Sequence, residues 1–286
     1  MTRRLALSFA VAAVTLAVSS RAALAGPIFL TGHDPDFHSQ GSVGAQHLLE
    51  AGLDFVTGNT EDVAGHRFLW VESRIPTPGG HLIGENGLAS LGLTLGVNYD
   101  RANAAELATV NFSNYTAIVI ASSFGGLLTS AELNELIARQ TDIQTFINAG
   151  GGLFASAECI SGMTNCDGQL MAGETANRLF GYLPITVPSI SESAPFTVTA
   201  FGASLGLVNG DVNDPTHNSF GPVPLLNVVD QDAAGHPTTL AGNVRIGDGG
   251  FVPDNPEVPE PSTIVLLGSG VVAVVRRVKR GRSSKR

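Results

Sequence analysis

The sequence predicts one α/β domain, doubly wound, with an added β-rich portion after about Pro184. Three observations predict it. Short, mostly apolar runs at 27–31, 67–71, 117–121 and 153–157 have the length and near-continuous hydrophobicity of strands buried on both faces, the habit of a parallel sheet. Segments with apolar residues at helical spacing separate them, most clearly at 44–56 and 129–148, and that alternation argues against an all-β chain. After Pro184 the helical period gives way to short β-type runs, at 196–200 and then at 225–229 and 238–244 around a turn.

In chain order, residues 1–25 read as a secretory signal peptide. Arg3 and Arg4 supply the positive region, 5–18 the apolar region, and Ala23-Leu24-Ala25 a small-x-small cleavage site. The mature chain is expected to begin at Gly26, with the domain over 26–246. The first strand, 27–31, ends at Gly32. Residues Ala45, Leu48, Leu49, Leu53 and Val56 form one face of a helix that covers the sheet, and His47 sits on its outer side. After the second strand come a proline- and glycine-rich loop at 76–80, a short helix at 86–93 and a third strand at 95–99. The strand at 117–121 leads into Ser122-Ser123-Phe124-Gly125-Gly126. Thr129-x-x-Glu132 fits a capping box and opens a single long helix to about Asn148, stopped by Gly150-Gly151-Gly152. A further helix is expected at 168–183, a turn or short helix at 203–207, and a linker at 247–257.

The polar residues of interest follow strand ends, where open α/β sheets place their sites. His33-Asp34-Pro35-Asp36-Phe37-His38 follows the first strand. Imidazole and carboxylate together suit zinc or another transition ion, which makes His33, Asp34, Asp36 and His38 candidate ligands of a divalent metal. The same Asx-Pro-Asx stretch is also ordinary turn chemistry. Ser122, Ser123 and Gly125 form a candidate ligand-binding loop, and the strand at 153–157 delivers Glu158 and Cys159 to the same edge. Asp214 and His217 either complete a site with His33 and Asp34 or cap a loop. Cys159 and Cys166 are the only cysteines, and an oxidising destination favours a disulfide between them. If Cys159 is free, it is a candidate nucleophile with His217 as base and Glu158 as orienting or acid group. Residues 230–235 have some look of a calcium loop but lack its fifth ligand and the distal Glu, and read as a hairpin turn.

Charge sharpens the picture once the ends are set aside. Six arginines and no lysine remain between Gly26 and Pro261, against all 25 acidic residues, a formal charge near −19. Such a surface repels phosphate backbones and anionic lipid, so nucleic acid is excluded as a partner. It suits solubility outside the cell, and it can attract cations such as calcium.

The tail carries the most specific pattern. Val258-Pro259-Glu260-Pro261 precedes an apolar run at 264–275, and seven cations follow with no acid among them. The run spans roughly 18 Å, short of a ~30 Å hydrocarbon core, and the cations hold its far end cytoplasmic. The order resembles the PEP-CTERM sorting signal over 258–286, with Pro259, Glu260 and Pro261 as the sorting motif and a short transmembrane segment behind it. That resemblance implies an exosortase-type processing enzyme as partner, a transient stay in the inner membrane, then the cell surface or extracellular matrix, with extracellular polysaccharide as an associated partner.

The middle of the chain resembles a second family. A strand ending in a polar loop, a strand with Ser-Ser-Phe-Gly-Gly, a helix, and Ala149-Gly150-Gly151-Gly152-Leu153-Phe154 ahead of a cysteine are similar to the class I glutamine amidotransferase-like superfamily. It implies a flavodoxin-like three-layer sandwich. The chain departs from it at the nucleophile, since Ala157-Glu158-Cys159-Ile160-Ser161 lacks the glycines of a Gly-x-Cys-x-Gly elbow, and no His-x-Glu pair follows, His217 being followed by Asn218 and Ser219. The resulting expectation is an exported, non-catalytic surface or matrix protein. The alternative is a hydrolase using Cys159 and His217, or a metal at 33–38.

Overall fold

The computed structural model describes residues 25–60, 63, 65–74, 84–122, 128–157, 180–185, 187–214 and 218–253. They belong to one folded unit spanning Ala23–Asp254. Strands form where the sequence is apolar without interruption: β1 (Gly26–Thr31), β2 (Phe68–Val71), β4 (Ala117–Ile120) and β5 (Gly152–Ser156) are buried almost throughout. Between them lie helices α1 (Pro35–His38), α2 (Val43–Thr57), α3 (Glu85–Ser90), α4 (Ala104–Leu107), α5 (Ser130–Ala138) and α6 (Gln140–Asn148), with β3 (Tyr99–Ala102) ahead of α4. The later part holds β6 (Ser189–Ile190), β7 (Thr197–Val198), α7 (Ala200–Ser204), β8 (Ser219–Phe220), β9 (Asn227–Gln231), β10 (Pro237–Gly247) and β11 (Gly250–Val252).

The main sheet runs β3-β2-β4-β5-β1-β10-β9-β7, with β11 also paired to β10, while β6 and β8 form a separate pair. The first five are parallel neighbours. A flavodoxin-type sheet has the order 2-1-3-4-5. Counted from β2, the strands β2 to β5 take its first four places, and the N-terminal β1 fills the fifth. Beyond β1 the sheet turns antiparallel, because β10 pairs with β1 from Gly26↔Val244 to Thr31↔Thr239. The sheet is thus mixed, with the expected β-rich portion continuing the parallel core.

Helix α2 forms where expected. Ser42 caps it by accepting from the Ala45 amide at 3.3 Å, and Gly58 ends it at φ 70°, a left-handed turn that suits glycine. A Cβ on Gly52 of this helix would meet the Phe154 ring, so glycine lets α2 close onto β5 where Phe29 and Phe154 stack at 5.2 Å. Each fully buried phenylalanine is worth about 1.5–3 kcal/mol of transfer free energy.

Several expectations are corrected. The long helix over 129–148 is two helices, broken at Arg139 (φ −99°, ψ 19°). The Arg139 guanidinium there donates to the Leu107 and Val110 carbonyls at 2.6 and 2.7 Å and lies 4.1 Å above the Phe112 ring, contacts made off the helix axis. The third strand is 99–102, not 95–99, and only Leu95 bridges to Tyr99. It is an edge strand held partly by side chains: Asp100 accepts from Arg67 at 2.8 Å, and Arg101 pairs with Glu85. The strand expected at 196–200 shrinks to two residues because Thr199 caps α7, accepting from Gly202 at 3.2 Å. Strand β11 falls in the stretch read as a linker and is paired through Arg245↔Val252. The turn at 232–236 is closed by Asp232, which accepts from the Ala234 and His236 amides at 2.9 and 2.8 Å, so the hairpin reading of this stretch stands. Most of the helix expected at 168–183 lies outside the described residues.

Candidate functional site

Parallel strands deliver their carboxyl ends to one edge. Here that edge carries Thr31 at the end of β1 and His33 just past it, Glu72 after β2, Ser122 after β4 and Ser156 in β5, all buried. Connections from β2 and β4 leave in opposite directions, to β3 and to β5, which puts the topological switch point, the usual place of a ligand crevice, between Glu72 and Ser122.

The cluster at 33–38 divides between two partners. His33 turns to the antiparallel side, where its Nε2 meets the Asp230 carboxylate of β9 at 2.9 Å and its ring lies edge-on to Phe196 at 5.5 Å. Thr238 donates to the same Asp230 oxygen, and the His33 amide donates to the Thr31 hydroxyl at 3.1 Å. All of these groups are buried. Asp36 turns to the parallel side and accepts from both the amide and the hydroxyl of Ser122, at 3.0 and 3.1 Å. His38 lies between Asp34 and Asp214, each at 3.4 Å, on opposite ring nitrogens. Among the described residues no group of three or more His, Cys, Asp or Glu is arranged to hold a metal ion. His47, read as a surface residue, is half exposed and pairs with Asp211 at 3.0 Å.

Burial sets the acid–base character of this edge. Asp36 is pushed up to about 6, first by loss of solvent and then by the neighbouring Asp34 charge, with the Ser122 hydrogen bonds pulling the other way. Glu72 is pushed up to about 7, again chiefly by burial. The Trp70 indole and the Arg101 charge oppose that rise and Glu85 adds to it. Neither Glu72 carboxylate oxygen meets hydrogen-bond geometry with a partner among the described residues, nor does Oδ1 of Asp36.

Packing holds these groups in place. A Cβ on Gly87 would strike the Asp36 carbonyl, so glycine lets α3 lie directly on α1. A Cβ on Gly32 would strike the Asn218 carbonyl, and Gly32 donates to Thr238 at 2.7 Å, which locks the end of β1 against β10.

Of the residues nominated from sequence, the structure places His33, Asp34, Asp36, His38, Ser122 and Asp214 at or beside this edge. Ser123, Gly125, Glu158, Cys159, Cys166, His217 and the motif Pro259, Glu260 and Pro261 lie outside the described residues. Sequence reading missed Glu72, Asp230 and Thr238. Glu72 carried a usable signal, an acid directly after an apolar strand, the place that also drew attention to Ser122. Asp230 and Thr238 carried none, since their role depends on a pairing some two hundred residues from His33.

Residues 257–280 match the family model of the PEP-CTERM protein-sorting motif. The tail is a sorting signal. PEP-CTERM signals are processed by exosortase and direct export through the membrane to the cell surface, so the chain is an exosortase-processed exported protein. No curated protein and no solved structure matches the chain, and no match supports the amidotransferase-like resemblance. Among the described residues no helix is long and apolar enough to cross a membrane, and the apolar run at 264–275 lies outside them.

Proposed function

We propose that this exported protein acts without catalysis at the cell surface or in the extracellular matrix, as a binding partner of extracellular polysaccharide. One observation carries the non-catalytic part of the reading. Apart from Glu72, which is sealed from solvent, the acid–base groups of the carboxyl edge are committed to neighbours there, His33 to Asp230, Asp36 to Ser122, and His38 to Asp34 and Asp214. A general base has to reach its substrate's proton, and a buried imidazole tied to a buried carboxylate fixes the sheet edge instead. The acidic, lysine-free domain suits a soluble life outside the cell. The flavodoxin-like, amidotransferase-like core is retained here as an analogy of strand order. The test is growth of the producing strain with and without a functional exosortase. The expected results are loss of the tail by intact mass in the first case only, and recovery of the processed protein with the washed polysaccharide fraction. Processed protein found wholly free of polysaccharide would overturn the association.

A second reading, a hydrolase, is favoured by one feature. A void of about 10 Å³, room for about one water, lies between the apolar residues Pro35, Ala45 and Leu48 and the polar residues His33, Asp34, His38, Asp211 and Asp214. In that reading the 33–38 cluster rearranges to gather round a divalent metal, since the described residues hold no ready set of three ligands, or Cys159 acts with His217. Stoichiometric metal by elemental analysis, lost in His38→Ala, supports the metal form. Alkylation of the unreduced protein at Cys159 supports the thiol form, whereas uptake of two labels only after reduction identifies the Cys159–Cys166 disulfide and removes it.

A further inference from the structure

A cleft of about 860 Å³ lies at the opposite edge of the sheet from all of these groups. It opens beside Pro27 at the start of β1, Thr116 just before β4 and Gly151 just before β5. Its volume is within the range of small-molecule sites. We infer that it is a binding site for an uncharged oligosaccharide, an inference that rests on the polysaccharide-binding reading and gives it a location.

Three features point to this ligand chemistry. Aromatic rings line the cleft: Phe112 and Phe146 are buried, with ring centres 6.2 Å apart, while Phe55 and Tyr115 are half-buried and can contact a sugar face. Around them stand neutral hydrogen-bonding side chains on exposed residues, Asn111, Ser113, Thr145 and Asn243. Asn111 uses its carbonyl oxygen to accept from Ser113, and Thr145 spends its proton on the Thr141 carbonyl at 2.8 Å. An amide donor and a hydroxyl acceptor are thereby left for sugar hydroxyls. The fixed charges of the lining, Arg139 and Asp142, are paired at 2.9 Å. A domain of formal charge near −19 repels an anionic polymer, and the cleft offers a cation no free carboxylate. An uncharged polyol meets neither objection.

The wall is preformed, which lowers the ordering cost of binding. Arg139 is held by two carbonyls and the Phe112 ring, and a Cβ on Gly151 would strike the Phe146 ring, so the glycine turn before β5 sits hard against the cleft.

The test is native affinity electrophoresis of the exported protein, purified from cells, in gels containing laminarin or hydroxyethyl cellulose as uncharged probes and alginate as a polyanionic one. Thr145→Arg puts bulk and charge into the cleft from an exposed helix position, and Asn243→Ala removes one rim amide. Retardation by an uncharged glycan, weakened about tenfold or more by Thr145→Arg and less by Asn243→Ala, is the expected result. Retardation unchanged in both variants overturns the location and leaves polysaccharide binding standing. Retardation by alginate alone overturns the uncharged ligand and also leaves that reading standing. No retardation by any of the three overturns both.

Discussion

Replacing Glu72 with glutamine removes an ionisable group from the interior while keeping its shape. Glu72 is fully buried beside the chain's single tryptophan, Trp70, and is faced by Glu85 from α3 and by Tyr99 and Arg101 from β3. Its folded-state value of about 7 lies above the ordinary 4.5. At about 1.4 kcal/mol per pH unit between them, the gap corresponds to stability on the order of 3 kcal/mol. Below about pH 4.5 the group is protonated folded and unfolded, and it costs nothing. As pH rises from about 4.5 to about 7 the unfolded chain ionises while the folded one holds its proton, so stability falls, and above about 7 the loss is complete. The Glu72→Gln protein should therefore match the wild type near pH 4 and exceed it at pH 8 by an amount on the order of 3 kcal/mol, roughly 6–12 °C in Tm. Urea unfolding followed by Trp70 fluorescence at both pH values is the assay. Asp36 titrates in an overlapping window but does so in both proteins, so it cancels in the difference. A difference that is the same at pH 4 and pH 8 would refute the reasoning.

Asp36→Asn keeps an oxygen for the two Ser122 bonds and removes a carboxylate whose value has risen from 3.8 to about 6. The wild type loses stability between those two pH values, so the variant should be about 1–3 kcal/mol more stable at pH 7 and equal near pH 3, as read by denaturant midpoints. His33→Ala leaves the buried Asp230 carboxylate without its imidazole and should cost about 3–5 kcal/mol at pH 7; a loss below about 1 kcal/mol would show that the pair does not hold the sheet edge. Gly152→Ala drives a methyl group into the Val56 carbonyl at the end of α2 and should cost about 1–3 kcal/mol by thermal unfolding, whereas Gly235→Ala, whose Cβ would meet nothing, isolates the cost of a left-handed backbone.

The elements that were legible are those whose signal is local. The apolar runs of β2, β4 and β5 lie within a residue or two of their expected places, because a strand buried on both faces needs continuous apolar sequence. The start of α5 was visible in Thr129 and Glu132, and the end of α2 fell two residues before Gly58 in the reading and one before it in the structure. Strand β3 was misplaced because Tyr99-Asp100-Arg101-Ala102 has no apolar run, and its pairing leans on Arg67 and Glu85 from elsewhere in the chain. The break at Arg139 was invisible for a similar reason, since the carbonyls that hold its guanidinium belong to α4 and the loop after it.

By itself the sequence determined the address of this protein, through the motif at 257–280, and the α/β class, because sorting signals and hydrophobic periods are written in neighbouring residues. Only the tertiary structure decided that β1 takes the fifth place in the parallel order, that β10 pairs with it, and that His33 and Asp36, three positions apart, face different partners. It also decided that His33, Asp36 and His38 at the carboxyl edge are bonded to neighbours there while an open cleft lies at the other edge. Pairing between strands two hundred residues apart depends on which surfaces remain to be buried after the local elements have formed, and no short stretch of sequence carries that information.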